Sequence, residues 1–126
     1  MVVTPMPRRI LVVEDDQPIL ELMDLMIRRL GFEPVLVTNG LEALESVQKE
    51  IPALIILDIM MMPINGWEVL ERLREKPGYT EIPVIIFSAS PSLEERMEQL
   101  HDRNLGVLHK PVTYGELRDG INRFLA

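Results

Sequence analysis

Five short apolar runs punctuate the chain, at residues 10–13, 35–37, 53–57, 83–87 and 105–109. Unbroken runs of this length, bounded by turn residues, suit strands buried on both faces, as in parallel sheets. Between them, apolar residues recur at the three- and four-residue spacing of amphipathic helices. The first such face is Ile19, Leu22, Met23, Met26, Ile27 and Leu30, with Pro18 suited to the opening turn and Gly31 to the end. Shorter faces follow at Leu41, Leu44 and Val47, and at Trp67, Leu70 and Leu73. A fourth takes in Met97 and Leu100, and a fifth takes in Leu117, Ile121 and Phe124. Thr38-Asn39-Gly40 and Pro77-Gly78 read as turns. Ser92 with Glu95 reads as a capping box, and Thr113 as the cap of the last helix. Five β–α units in a row predict an α/β fold: a single doubly wound domain with five parallel strands and five helices. Residues 1–7, with two prolines, read as a loose tail before a domain spanning 8–126.

The strands end on polar groups. The first is followed by Glu14, Asp15 and Asp16, the third by Asp58, the fourth by Ser88 and the fifth by Lys110. Ligands in open α/β sheets bind beyond the carboxyl ends of the strands, so Asp58 is expected to be solvent-exposed and placed for chemistry. With the strands in the order 2-1-3-4-5, the first and third lie side by side where the chain changes direction. Asp15 and Asp58 then cluster as like charges, which repel by roughly 4 kcal/mol at about 4 Å and a surface-like dielectric. An all-oxygen site without Cys or His selects Mg²⁺, Mn²⁺ or Ca²⁺ over zinc, and a small one completed by water and a phosphoryl group favours Mg²⁺. Acids, metal, the Lys110 ammonium and the Ser88 hydroxyl together suit a carboxylate that accepts a phosphoryl group.

Composition narrows the field. The 126 residues suffice for one domain, and 47% of them are apolar. No apolar run is long enough to span a membrane, and residues 1–7 lack the apolar core of a secretory signal. The absence of cysteine removes disulfide and thiolate chemistry and fits a cytoplasmic location. A net charge of −7 argues against direct nucleic-acid binding and for simple solubility.

Taken together, the motifs resemble those of two-component response-regulator receiver domains over nearly the whole chain. ILVVEDD is similar to that family's first strand and acidic pair, which falls on Glu14 and Asp15. LIILDIMM is similar to the third strand, with the phospho-acceptor at Asp58. IIFSAS supplies the hydroxyl position at Ser88 and HKP supplies Lys110-Pro111, while NGLEAL and the Gly66 turn also fit. The resemblance implies that Asp58 takes a phosphoryl group from a histidine kinase, a phosphotransfer protein or a small phosphodonor. It implies Mg²⁺ held by Asp15 and Asp58, with the Met60 backbone carbonyl as a further ligand and Glu14 acting through water. Ser88 and Lys110 would bind the phosphoryl oxygens. A cis peptide is expected at Lys110-Pro111. Output would run to a downstream protein or a homodimer through the helix 4–strand 5–helix 5 face. No separate substrate turnover is expected, and no output domain is in view, so transcriptional activity in this chain is not expected.

Three departures stand out. Pro63 lies five residues after Asp58, where the family has proline at four, and Met62 takes the usual position. That leaves the loop's path, and the Met60 carbonyl with it, open. Val107 replaces the usual aromatic, so no aromatic rotamer can carry the output there. Asp102-Arg103-Asn104 replaces small residues. Met60 and Ser90 are neither acidic nor amide, so spontaneous loss of the phosphoryl group is expected to be slow. Plainer roles are expected elsewhere. Asp16 reads as a helix N-terminal residue, Met60, Met61 and Met62 as loop or core filling, and Trp67 as a packing residue. His101 and His109 read as surface residues with no partner that would make them metal or phosphoryl carriers. Competing readings are a partner-binding pseudo-receiver and an aspartyl-phosphate phosphatase. The latter wants an acid where Met60 stands. A nucleotide module would need a P-loop, and none is present.

Overall fold

A computed structural model describes residues 7–89 and 93–125. Residues 1–6 of the expected tail, Ser90 and the Ser92 cap lie outside these. Five parallel strands, β1 (Arg9–Val13), β2 (Glu33–Val37), β3 (Leu54–Asp58), β4 (Val84–Ser88) and β5 (Leu105–His109), pair in the order β2-β1-β3-β4-β5. Helices α1 (Gln17–Arg29), α2 (Gly40–Lys49), α3 (Gly66–Arg74), α4 (Leu93–Leu100) and α5 (Tyr114–Leu125) follow the strands in turn. A 3-10 turn, Pro77–Tyr79, follows α3.

The pleat sorts each central strand between two cores. Leu11, Val13, Ile55 and Leu57 face Val47, Val69, Leu70 and Leu73 of α2 and α3. Ile10, Val12, Leu54 and Ile56 face Met23 and Ile27 of α1 and Leu117 and Ile121 of α5. Both faces are covered, so every residue of β3 and β4 is buried. Each buried Ile or Leu contributes roughly 1.5–3 kcal/mol.

Side-chain oxygens cap the helices where the loops leave the sheet. Asp16 accepts from the Ile19 amide at 3.2 Å, Asn39 from Glu42 and Asn65 from Glu68, both at 2.9 Å. Thr113 and Glu116 form a reciprocal box at 3.0 and 3.1 Å. Gly31, at φ +91°, closes α1: its amide reaches the Arg28 carbonyl while that of Phe32 reaches Ile27. That pairing needs a left-handed residue at 31.

Two expected helix faces are corrected. Leu22 is half exposed and Leu20 takes its place in the core, while Leu41 is exposed and Gly40 and Ala43 are buried. Apolar residues at 19, 20, 22 and 23 span more than one face, so spacing alone cannot choose the phase. In α2 the closely packed side is made of small residues: a Cβ on Gly40 would meet Val69 Cγ2 at 2.5 Å.

Candidate functional site

The carboxyl ends of β1, β3, β4 and β5 converge. The Glu14 amide bonds to the Val37 carbonyl at 3.1 Å, which carries β1 one residue further beside β2 and buries the Glu14 side chain completely. The Asp15 amide donates to Glu14 Oε2 at 3.1 Å, leaving the Asp15 side chain exposed at the rim. Asp16 faces away and caps α1, as expected. Carboxylate oxygens of Glu14, Asp15 and Asp58 all lie within 4.8 Å of one another.

Asp58 ends β3, and its carboxylate accepts from the Met60 amide at 3.3 Å. The following loop folds back so that the Gly66 amide reaches the Ile59 carbonyl at 2.9 Å. A Cβ at Gly66 would meet the Asp58 carbonyl oxygen at 2.4 Å, so only glycine allows this approach. Pro63 sits in a cis peptide with Met62, and Lys110-Pro111 is also cis, as expected for the latter.

The Lys110 ammonium lies 2.7 Å from Glu14 Oε1 and 3.4 Å from Asp58 Oδ1, above the Phe87 ring at 5.0 Å. Its backbone amide donates a hydrogen bond to the Ser88 carbonyl at 3.0 Å. Glu14 Oε1 accepts no hydrogen bond of good geometry, so its contact with Lys110 is mainly ionic. Burial pushes the Glu14 carboxyl up to about 7, the neighbouring Asp58 carboxyl adds to this, and Lys110 opposes it. For Lys110, burial favours the neutral amine, but Glu14 and Asp58 outweigh it and raise the value. One ammonium thus meets two carboxylates, with a third, Asp15, close to both. The remaining negative charge and the all-oxygen donor set fit a hard divalent cation.

Glu14, Asp58, Ser88 and Lys110 therefore meet as expected, with Asp15 at the edge. One expectation is overturned: Asp58 is 2% exposed rather than open to water. As the last residue of β3 it lies inside the site with Glu14, and the Lys110 ammonium is 3.4 Å away. Next to the site, a cavity of about 570 Å³ is lined by Asp15, Met60, Asn65, Ser88, Trp67 and Arg96. All three methionines border that cavity, but they divide by exposure: Met61 is buried as filling, whereas Met60 and Met62 are 76% and 80% exposed. His109 has a partner the sequence did not reveal, Glu94 of α4, at 2.5 Å. Sequence reasoning also missed the stacking of Arg96 over the Trp67 indole at 4.8 Å. Such pairs join residues far apart in the chain and leave no local pattern.

Comparison with known proteins agrees with this geometry. The response regulator receiver domain family model matches residues 10–122. The transcriptional regulatory protein ZraR of Klebsiella oxytoca is 33% identical over 93% of this chain, which corresponds to 26% of ZraR. The chain spans about half or less of the length of the curated relatives it matches. Among solved structures, the N-terminal domain of a response regulator receiver protein from Methanoculleus marisnigri JR1 is 35% identical. Its TM-score is 0.77, with 94% of this chain and 97% of that one covered. The receiver domain of the sensor histidine kinase PA1611 from Pseudomonas aeruginosa PAO1 has a TM-score of 0.84 at 25% identity. It covers 95% and 98% of the two chains, and holds a magnesium ion in its active site cleft.

Proposed function

The chain belongs to the response regulator receiver domain family, and on that premise we propose that it is a phosphorylation-dependent signalling switch with Asp58 as the acceptor. The observation that carries this is the Lys110 ammonium, held between Glu14 and Asp58 at 2.7 and 3.4 Å beside a third carboxylate, Asp15. An Asp58 oxygen attacks phosphorus, a new P–O bond forms, and the bond from phosphorus to the donor breaks. With a phosphohistidine donor, from a histidine kinase or a phosphotransfer protein, the leaving group is imidazole nitrogen. Lys110 offsets the charge on the phosphoryl oxygens and the Ser88 hydroxyl orients them. Asp15, Asp58 and the Met60 carbonyl would hold Mg²⁺, with Glu14 acting through water, and the ion when bound supplies further positive charge beside those oxygens. Met60 and Ser90 offer no acid or amide to orient a water, so the acyl phosphate is long-lived. Output passes to a downstream protein or to a second copy through the α4–β5–α5 face.

A second reading, partner binding without phosphorylation, draws on the near-complete burial of Asp58. Incubation with Mg²⁺ and acetyl phosphate followed by intact mass measurement separates the two. One added phosphoryl group, dependent on Mg²⁺ and absent in Asp58→Asn, is expected. An unmodified wild type refutes the switch, and sustained hydrolysis of phosphomonoesters would instead make the chain a phosphatase.

A further inference from the structure

Helix α4 is seated by little. Of its residues only Leu93 is buried and Met97 is half-buried, while Glu94, Glu95, Arg96, Glu98, Gln99 and Leu100 are exposed. Arg96 lies over the ring of Trp67, at the start of α3, 4.8 Å from its centre. Among the described residues no carboxylate pairs with it, although α4 itself carries three glutamates. The stack separates two cavities. On one side is the cavity of about 570 Å³ that Ser88 and Asp15 also line. On the other is one of about 390 Å³ between α3 and α4, lined by Leu70, Arg74, Leu100 and Asp102. The cation therefore shares open space with Ser88 and Asp15, and the helix has room behind it.

We propose that Arg96 is the phosphoryl-responsive positioning residue of this chain: its guanidinium leaves the Trp67 indole for the phosphoryl oxygens on Asp58 and draws the middle of α4 with it. This rests on the acceptor reading above. A cation on an exposed indole face is held weakly. A guanidinium facing a phosphoryl group forms shorter, charge-assisted and often bidentate bonds. The added negative charge thus shifts a balance that the unmodified site leaves on the indole side. Strand β5, with Val107 at its centre, offers no aromatic side chain that could do this instead.

Trp67 is the sole tryptophan, so its fluorescence reports the stack directly. The full chain is titrated with beryllofluoride in Mg²⁺ while emission is followed, and acetyl phosphate labelling is measured by mass in parallel. The expected result is an emission change in the wild type. In Arg96→Gln that change is lost and beryllofluoride affinity falls roughly two- to fivefold, the scale of an exposed ion pair. Arg96→Lys recovers part of the affinity because it keeps the charge. Arg96 is exposed, and an unchanged urea midpoint for each variant shows that the fold is kept. An Arg96→Gln protein with the wild-type emission change and affinity overturns the inference, as does a phosphorylated wild type with unchanged emission. A wild type that gains no phosphoryl group by mass overturns the acceptor reading, and this inference with it.

Discussion

Gly66→Ala tests whether the loop after β3 sets the acceptor's position. The new methyl carbon would stand 2.4 Å from the Asp58 carbonyl oxygen and 2.8 Å from Ile59 Cα. Ordinary contact lies near 3.5 Å, so the loop must open by about 1 Å. The obstructing atoms are backbone and cannot rotate away. Overpacking of this kind costs about 1–3 kcal/mol. With a urea slope of about 1–3 kcal/mol per molar, the unfolding midpoint should fall by about 1 M. The displacement falls on the residue carrying the nucleophile, and a misplacement near 1 Å can slow a reaction of order a hundredfold. Labelling by acetyl phosphate, timed by mass on folded protein, should therefore slow by roughly ten- to a hundredfold. Two other glycines serve as controls. Gly78 has nothing within 4 Å and an ordinary φ, so Gly78→Ala should stay within about 0.5 kcal/mol of wild type. Gly31 also has open space but sits at φ +91°, so Gly31→Ala should cost about 1 kcal/mol and leave labelling untouched. If Gly66→Ala is as stable and as quickly labelled as Gly78→Ala, the close-approach argument is wrong.

Two further outcomes are expected. Burial pushes the Glu14 carboxyl of the metal-free protein up to about 7, against 4.5 for an ordinary glutamate. A raised carboxyl contributes stability that is full below the lower value and lost as pH rises through the upper one. The metal-free urea midpoint should therefore fall as pH rises from about 4.5 to about 7, and Glu14→Gln should flatten that slope; an unchanged slope would refute the assignment. Arg74 binds Asp102 at 2.7 Å and the carbonyls of Tyr79 and Asn104 at 3.0 and 3.2 Å, mostly shielded from solvent. Arg74→Ala should cost about 1–3 kcal/mol in urea unfolding. Arg72→Ala, which breaks only an exposed pair with Glu68, should cost about 0.3–0.5 kcal/mol, and equal losses would count against the tether.

The sheet was legible because strands buried on both faces must be apolar throughout, so their ends are marked where polarity returns. The same rule exposed the site, since Glu14, Asp58, Ser88 and Lys110 each stand at such an end or one step beyond it. Helix faces were less legible. Leu22 and Leu41 had the right spacing, yet burial went to Leu20 and to the small residues Gly40 and Ala43, which hydrophobicity alone does not flag. The depth of Asp58 was misjudged because a strand's end does not reveal what lies over it. Arg74–Asp102, Glu94–His109 and Arg96–Trp67 depend on helices meeting in space, and nothing near each residue announces its partner.

The polar run Asp102-Arg103-Asn104, which replaces small residues before β5, acquires a meaning from the Arg74 contacts. It fastens the far end of α4 to α3, while Glu94 and His109 fasten the near end to β5. A lightly seated rod, tethered firmly at one tip and loosely at the other, can roll about its long axis more easily than it can slide. A roll would leave the backbone's footprint almost unchanged while turning a different row of side chains outward. A protein docking on this helix would then distinguish the two states by which residues it meets, with little change in where the helix lies.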